Sequence, residues 1–421
     1  MRVVERRRAQ TPTVAPQAQG RRHAPDYWIL LITLALLTVG LVVVYSISPA
    51  LAVGKGTDGS AYVIRQLIAI GLGLVLFFVA SRVPLTTWRR LALPLLVIAG
   101  VMTLITLFLP VNADYPARRW IRIEGFSFQS VELVKFALII WLANMLVYRT
   151  ERNQLRSFET TLRPLLLLLV GVGIIVAGLQ SDFGSATVVA AIMGAMAYVA
   201  GVPVQRLSLL IGIAAVGGLL FIGTSDYRRE RVATFLNPSI DCASTASGYQ
   251  ACQALIAVGS GGITGLGLGN SVQAYGYLPE AENDSIFAIY AEKFGFLGTA
   301  VLLGLFLALF ARIKRVVDGA SDDYTRLVVL GILAWLSTQA IINIGAMIGL
   351  LPLKGITLPL ISYGGSSVLM VLMVLGVVFQ ASRYGSFSRI RDVNIRRDGH
   401  ENSGNGRRIR GSYHPPLSGR I

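Results

Sequence analysis

Apolar residues in this chain fall in long runs and do not alternate with polar ones, as in Trp28–Tyr45, Leu67–Ala80, Leu91–Leu109, Leu165–Leu179 and Val368–Phe379. With their flanks, most of these runs can cross a hydrocarbon core of roughly 30 Å as helices of about 20 residues. In lipid only helices and closed barrels satisfy the backbone, and runs without period-two alternation exclude a barrel. The pattern therefore predicts an all-α membrane protein, a polytopic bundle of about ten transmembrane helices. The spans are placed at 28–47, 63–80, 91–110, 131–148, 164–179, 185–201, 206–223, 285–312, 326–349 and 360–382. The first run is long and lacks a small-residue cleavage site after it, so it is expected to remain as an anchor. One connection stands apart: residues 224–284, between spans seven and eight, are far longer than any neighbouring loop. They contain Tyr249, Tyr275, Tyr277 and several apolar residues, which predicts an ordered and functional segment.

Composition agrees, since 54% of residues are hydrophobic and only 14% charged, too few charges to cover a soluble surface of this size. The net charge of +16 would suggest nucleic acid, but its placement argues otherwise. Residues 1–27 carry six Arg against two acids, and 383–421 nine Arg against three. These read as basic disordered tails (1–27 and 383–421) around a transmembrane domain (28–382), with both termini cytoplasmic and the chain in the cytoplasmic (inner) membrane. No aromatic interleaving or folded module supports a nucleic-acid partner. With the N-terminus inside, the even-numbered connections hold Arg82, Arg89, Arg90, Arg149, Arg152, Arg156, Arg163, Arg206, Lys314 and Arg315, as the positive-inside rule requires. The outward connection 111–130 breaks the rule with Arg118, Arg119 and Arg122 against Asp114 and Glu124. An anionic substrate bound on that face is the favoured reason, ahead of simple tolerance of Arg in a short loop.

Charges within spans are functional candidates because burying them is costly. Glu132 and Lys135 sit three apart on one helix face, as a structural ion pair or as site residues, and the two readings weigh evenly. Asp182 is expected to cap the sixth span. The run Gly259–Gly269 lacks the Gly-Lys-Ser/Thr ending of a nucleotide loop and reads as a turn packed closely on another backbone. Ser362-Tyr-Gly-Gly-Ser-Ser367 could offer N–H groups to an anion or serve tight helix packing, the latter favoured. Finally, Tyr277-Leu-Pro-Glu-Ala-Glu-Asn-Asp284-Ser-Ile-Phe287 places three acids before an apolar helix. From the residues alone, Asp284 is either a helix cap or a partly desolvated general base or metal ligand.

Over residues 26–382 the chain resembles the SEDS (shape, elongation, division and sporulation) family of FtsW, RodA and SpoVE. The resemblance is carried by Gly40-Leu-Val-Val-Val-Tyr-Ser46, Arg65-Gln66, Arg119-Trp-Ile121, Gln180-Ser-Asp182, Phe235-Leu-Asn-Pro238 and Gly248-Tyr-Gln250. Gly259–Gly269, Tyr277–Phe287 and Leu351–Ser367 carry it most strongly, in matching order and spacing. Lys354 and Thr357 look more like the FtsW and SpoVE branch than RodA, and like FtsW above all. The chain departs from the family pattern at Gln129-Ser-Val-Glu132, which lacks a usual proline, and at Asn283 and Ser285, where Thr and Phe are usual.

The resemblance implies a peptidoglycan glycosyltransferase that polymerises lipid II into glycan strands at the outer membrane face during cell division. It implies Asp284 as the base that deprotonates the attacking sugar hydroxyl. The departing polyprenyl pyrophosphate would be held by Arg119, Arg118, Lys135 or Lys354, with Arg65, Glu132 and Ser362 lining the same cavity. A divalent cation, magnesium or manganese, is the one cofactor expected, with no organic cofactor; the family implies a class B penicillin-binding protein and other division proteins as partners. The rival reading is a flippase for the same lipid-linked precursor, which would need polar groups leading across the membrane. Separately, the chain's two cysteines, Cys242 and Cys252, both fall in the outward loop on the oxidising side, which predicts a disulfide over two free thiols.

Overall fold

The computed structural model describes residues 24–55, 59–109, 119–123, 126–223, 226–236 and 246–384. The chain divides after Gly385 into two units, and every described residue belongs to the first. Helices α1 (Tyr27–Lys55), α2 (Ser60–Ala80), α3 (Leu85–Arg90) and α4 (Ala92–Phe108) come first. A two-stranded antiparallel hairpin follows, β1 (Trp120–Ile123) and β2 (Phe126–Gln129), with Trp120 opposite Gln129. Next come α5 (Ser130–Glu151), α6 (Arg163–Val172) between π-helical turns Phe158–Leu162 and Gly173–Leu179, α7 (Phe183–Ala200) and α8 (Val204–Gly223). The long connection holds α9 (Asp226–Leu236) and α10 (Ala246–Ser260), and α11 (Ile286–Asp318), α12 (Asp323–Met347) and α13 (Gly365–Ala381) complete the bundle.

Among the described residues nine helical segments are long and apolar enough to span a bilayer, and α4, at 17 residues, is a shorter apolar helix at the position of the expected third span. At 1.5 Å per residue α4 covers about 26 Å, close to the hydrocarbon thickness. Large apolar side chains face outward along α2, α4, α8 and α11, among them Val75, Leu93, Leu219 and Leu307. Water would not tolerate such a surface, whereas lipid tails are its natural solvent.

The core is built on α5, α12 and α13, which are buried on nearly every face. Helix α13 lies against α2, where Gly376 lets the backbones touch: a Cβ there would overlap the Phe77 carbonyl oxygen. Capping fixes several helix starts. Asp322 accepts from the Thr325 amide at 2.9 Å to open α12, and Gly201 ends α7 in the left-handed region at φ 95°.

Two expectations need correction. The last helix begins at Gly365, not at 360, because Leu360 adopts φ 66° and the Ser362 hydroxyl accepts from the Leu358 amide, which makes 358–364 a turn. The 111–130 connection contains a hairpin within an otherwise helical body.

Candidate active site

Asp284 ends a compact turn directly before α11. The amides of Asn283 and Ser285 both donate to the Glu280 carbonyl at 3.0 Å, and the Ser285 hydroxyl donates to the Pro279 carbonyl at 2.9 Å. The Asn283 amide nitrogen donates to Glu280 Oε2 at 2.7 Å, so both residues that depart from the family pattern tie this turn together. Glu280 pays with a left-handed φ of 51°, a conformation side-chain-bearing residues rarely adopt. The N-cap of α11 is Ser285 and makes no side-chain cap bond. That removes the reading of Asp284 as a cap.

A second segment, 351–364, is zipped to this turn. The Ser362 hydroxyl donates to the Asn283 carbonyl at 2.7 Å, and the Tyr363 amide to the Glu282 carbonyl at 2.8 Å. From α12, Asn343 Nδ2 donates to the carbonyls of Asp284 (2.8 Å) and Ile356 (2.6 Å). The Tyr277–Phe287 and Leu351–Ser367 motifs are therefore one unit, with Ser362 as a strut inside it.

The Asp284 carboxylate faces cations. A Cβ built on Gly355 would lie 3.0 Å from Asp284 Oδ2 and 3.6 and 3.7 Å from Nη2 and Nη1 of Arg119, so carboxylate and guanidinium border the same point. Arg119 also approaches the buried Asp182 at 4.0 Å. Asp182 caps α7 as expected, accepting from the Ser185 amide at 2.9 Å, and its other oxygen accepts from Gln129 Nε2 at 3.0 Å. Gln129 ends β2, so the hairpin anchors Arg119 to α7. Lys354 stands beside Gly355 and donates to Thr187 Oγ1 at 3.2 Å. Arg231 of α9 donates to the Leu353 carbonyl at 3.3 Å. Burial, then the Glu280 carboxylate, push Asp284 up to about 7 against the opposing pull of Arg119; Asp182 adds to the rise and Arg231 opposes it. Burial pushes the Lys354 ammonium down. A half-buried carboxylate titrating near neutrality beside guanidinium groups can accept a proton next to a bound anion.

The other expected residues are distributed differently. Lys135 and Glu132 form a buried ion pair at 2.6 Å, closed by Gln339 Oε1 at 3.0 Å and the Trp335 ring at 4.7 Å. Gln339 links them to the 351–364 segment, its Nε2 donating to the Thr357 carbonyl at 3.0 Å. Arg65 is an exposed residue of α2 hydrogen-bonded to the Tyr363 side chain. Arg118 lies outside the described residues, as does Cys242; Cys252, in α10, is disulfide-bonded. The run Gly259–Gly269 packs against the α11 backbone, the Leu266 and Gly267 amides donating to the Glu292 and Lys293 carbonyls at 3.0 Å.

Sequence reasoning missed Arg231, Asn343 and the hairpin. Asn343 carried a signal, an amide within an apolar span, and Phe126-Ser-Phe-Gln129 alternates in sequence after the Glu-Gly pair. Arg231 carried none beyond its charge. For a resident cation the fit is poor: among the described residues no three His, Cys, Asp or Glu side chains converge, and the Asp182 oxygens are already engaged.

Residues 27–386 match the profile of the FtsW, RodA and SpoVE family, described as cell cycle protein. The chain belongs to this family. It is 41% identical over 362 residues to a probable peptidoglycan glycosyltransferase FtsW of Coxiella burnetii, covering 84% of this chain and 95% of the relative. It is 38% identical to stage V sporulation protein E of Bacillus subtilis, covering 87% and 99%. In structure it resembles a chain from a peptidoglycan synthase complex that coordinates polymerization and crosslinking, with TM-score 0.68, 28% identity and coverage of 86% and 98%. The rod shape determining protein RodA of Thermus thermophilus matches with TM-score 0.61, 26% identity and coverage of 86% and 98%. This family member is accordingly a multi-pass protein of the inner membrane.

Proposed function

We propose that Asp284 is the general base of a peptidoglycan glycosyltransferase that polymerises lipid II at the outer face of the membrane during cell division. Family membership and the names of its relatives make the chain a peptidoglycan glycosyltransferase. The observation that supports the assigned base is that the Asp284 carboxylate and the Arg119 guanidinium border the same point at Gly355. In the reaction a sugar hydroxyl of one substrate attacks the anomeric carbon of the growing chain, and polyprenyl pyrophosphate leaves with inversion. Asp284 Oδ2 takes the hydroxyl proton as the new C–O bond forms. The leaving group departs as a stable anion and needs no general acid. Arg119, Arg231 and Lys354 supply the positive charge that holds it. A divalent cation, magnesium or manganese, would enter with the pyrophosphate, because the described side chains build no cage for it.

With both tails cytoplasmic, the end of the bundle carrying Asp284 faces outward, and a class B penicillin-binding protein cross-links the product there. Charge placement favours polymerase over flippase: Glu132 and Lys135 lie in the first two turns of α5, and Glu292 and Lys293 within the first three turns of α11, all near the Asp284 end. The test combines purified protein, its transpeptidase partner, lipid II and a divalent cation. Long glycan strands are expected. Transbilayer movement of lipid II in vesicles without any polymer would favour the flippase.

A further inference from the structure

Glu292 and Lys293 are buried charges in the apolar body of α11, where such groups are costly, and the site described above uses neither. Their partners explain their presence. Glu292 Oε1 accepts from the amides of Val272 (2.9 Å) and Gln273 (3.1 Å), and Oε2 accepts from the Ser271 hydroxyl. Lys293 Nζ donates to the Leu268 carbonyl at 2.8 Å. Both charges therefore grip the segment between α10 and the Asp284 turn.

The grip sits where α11 is broken. Gly295 adopts φ 63°, ψ −162°, and the Gly-rich segment replaces the helix bonds lost there. The Glu292 and Lys293 carbonyls accept from Leu266 and Gly267, while the Phe296 and Leu297 amides donate to the Gly262 and Ile263 carbonyls at 2.9 and 3.0 Å. A Cβ on Gly295 would overlap the Gly265 amide nitrogen, so the interlock depends on glycine. From the Glu292 carboxylate a continuous path of bonds reaches the base. Gln273, held by Glu292, accepts at its carbonyl from the Leu278 amide at 3.0 Å. Pro279 and Glu280, next along the chain, take the bonds of Ser285 and Asn283 described above.

We propose that Glu292 is a positioning residue for Asp284, its carboxylate setting the 271–285 ribbon on which the base is carried. The proposal rests on the reading of Asp284 as base, and Glu292 itself touches no substrate. Glu292→Ala leaves the amides of Val272 and Gln273, the latter buried, and the buried Ser271 hydroxyl without their acceptor, which frees the ribbon. Glu292→Gln keeps an amide oxygen for Val272 and Gln273 and an amide nitrogen that can donate to the Ser271 oxygen.

The test uses the full-length protein with its transpeptidase partner and lipid II. Glu292→Ala should lower kcat by about tenfold or more, as expected for a displaced catalytic group, with KM within about twofold of wild type. The acid limb of its kcat profile should move, because the surroundings of Asp284 change. Glu292→Gln should restore most of kcat. Hydrogen exchange of residues 271–285, read by mass spectrometry, should quicken in Glu292→Ala and stay near wild type in Glu292→Gln. Unchanged kcat, acid limb and exchange in Glu292→Ala would overturn the proposal, as would a Gln variant as damaged as the Ala variant. Should Glu292→Ala not fold, Ser271→Ala loses a single bond and should quicken the same exchange with a smaller drop in kcat; no change in either overturns the proposal. A wild-type protein without polymerase activity would count against the functional reading, while the exchange measurement still decides the role of Glu292.

Discussion

If Asp284 is held largely for chemistry, it should cost the protein stability at the pH where it works. Its carboxyl is raised from an ordinary 3.8 to about 7, chiefly by burial. A raised carboxylate favours the folded state most when protonated. Its contribution is fully present below pH 3.8 and is lost as pH rises through about 7. A gap of about three pKa units corresponds to about 4 kcal/mol, and partial exposure of the side chain cuts this to about 2 kcal/mol through solvent screening. Asp284→Asn keeps the shape and removes the titration. The difference in thermal midpoint between the Asn variant and wild type, measured in detergent by intrinsic fluorescence, should be clearly smaller at pH 5, only part of the way from 3.8 to about 7. By pH 8 it should grow to several degrees in favour of the variant. A gap that is equal at the two pH values, or a variant less stable than wild type at pH 8, would refute the reasoning.

Further expectations follow from the same geometry. Glu280→Gln removes a charge that raises Asp284, so the acid limb of polymerisation should move to lower pH; a limb unmoved or moved upward would contradict the electrostatics. Gly355→Ala puts a methyl 3.0 Å from Asp284 Oδ2 and 3.6 Å from Arg119 Nη2, and should cost about tenfold or more in kcat with little loss of folded protein on size exclusion. Normal turnover in that variant would mean that the two groups do not act together at Gly355. The Cys252 disulfide is expected to join Cys242, so intact-mass analysis after alkylation should show no modified thiol until reductant is added. Its loss should lower stability by roughly 2–3 kcal/mol, read as a lower thermal midpoint with reductant.

Much of the architecture was legible because bilayer thickness imposes a run length that apolar residues must match. The starts of α5, α7 and α11 fell within two residues of expectation. The start of α13 did not, since the left-handed turn at Leu360 leaves no mark on hydrophobicity. The hairpin escaped notice because β-pairing in one short connection is overwhelmed by the helical pattern around it. Of the residues at or beside Gly355 in the candidate site, Asp284, Arg119 and Lys354 carry a signal in charge placement and the family motifs. The spacing of Glu132 and Lys135 reveals the ion pair that the structure shows, but not how deeply it is buried. Arg231 stayed hidden because nothing local to α9 indicates that it folds back onto Leu353. The grip of Glu292 on residues 271–273 was invisible for a similar reason: its partners lie about twenty residues away, across a turn with no regular period.

The measurement closest to the central claim compares wild type, Asp284→Ala and Asp284→Asn with the transpeptidase partner and lipid II, counting glycan length on a gel. Wild type should build polymer, while both variants, still folded and still binding lipid II, should fall by a factor of about 10² to 10⁴. Equal polymer from wild type and either variant would contradict the assignment of Asp284 as the base.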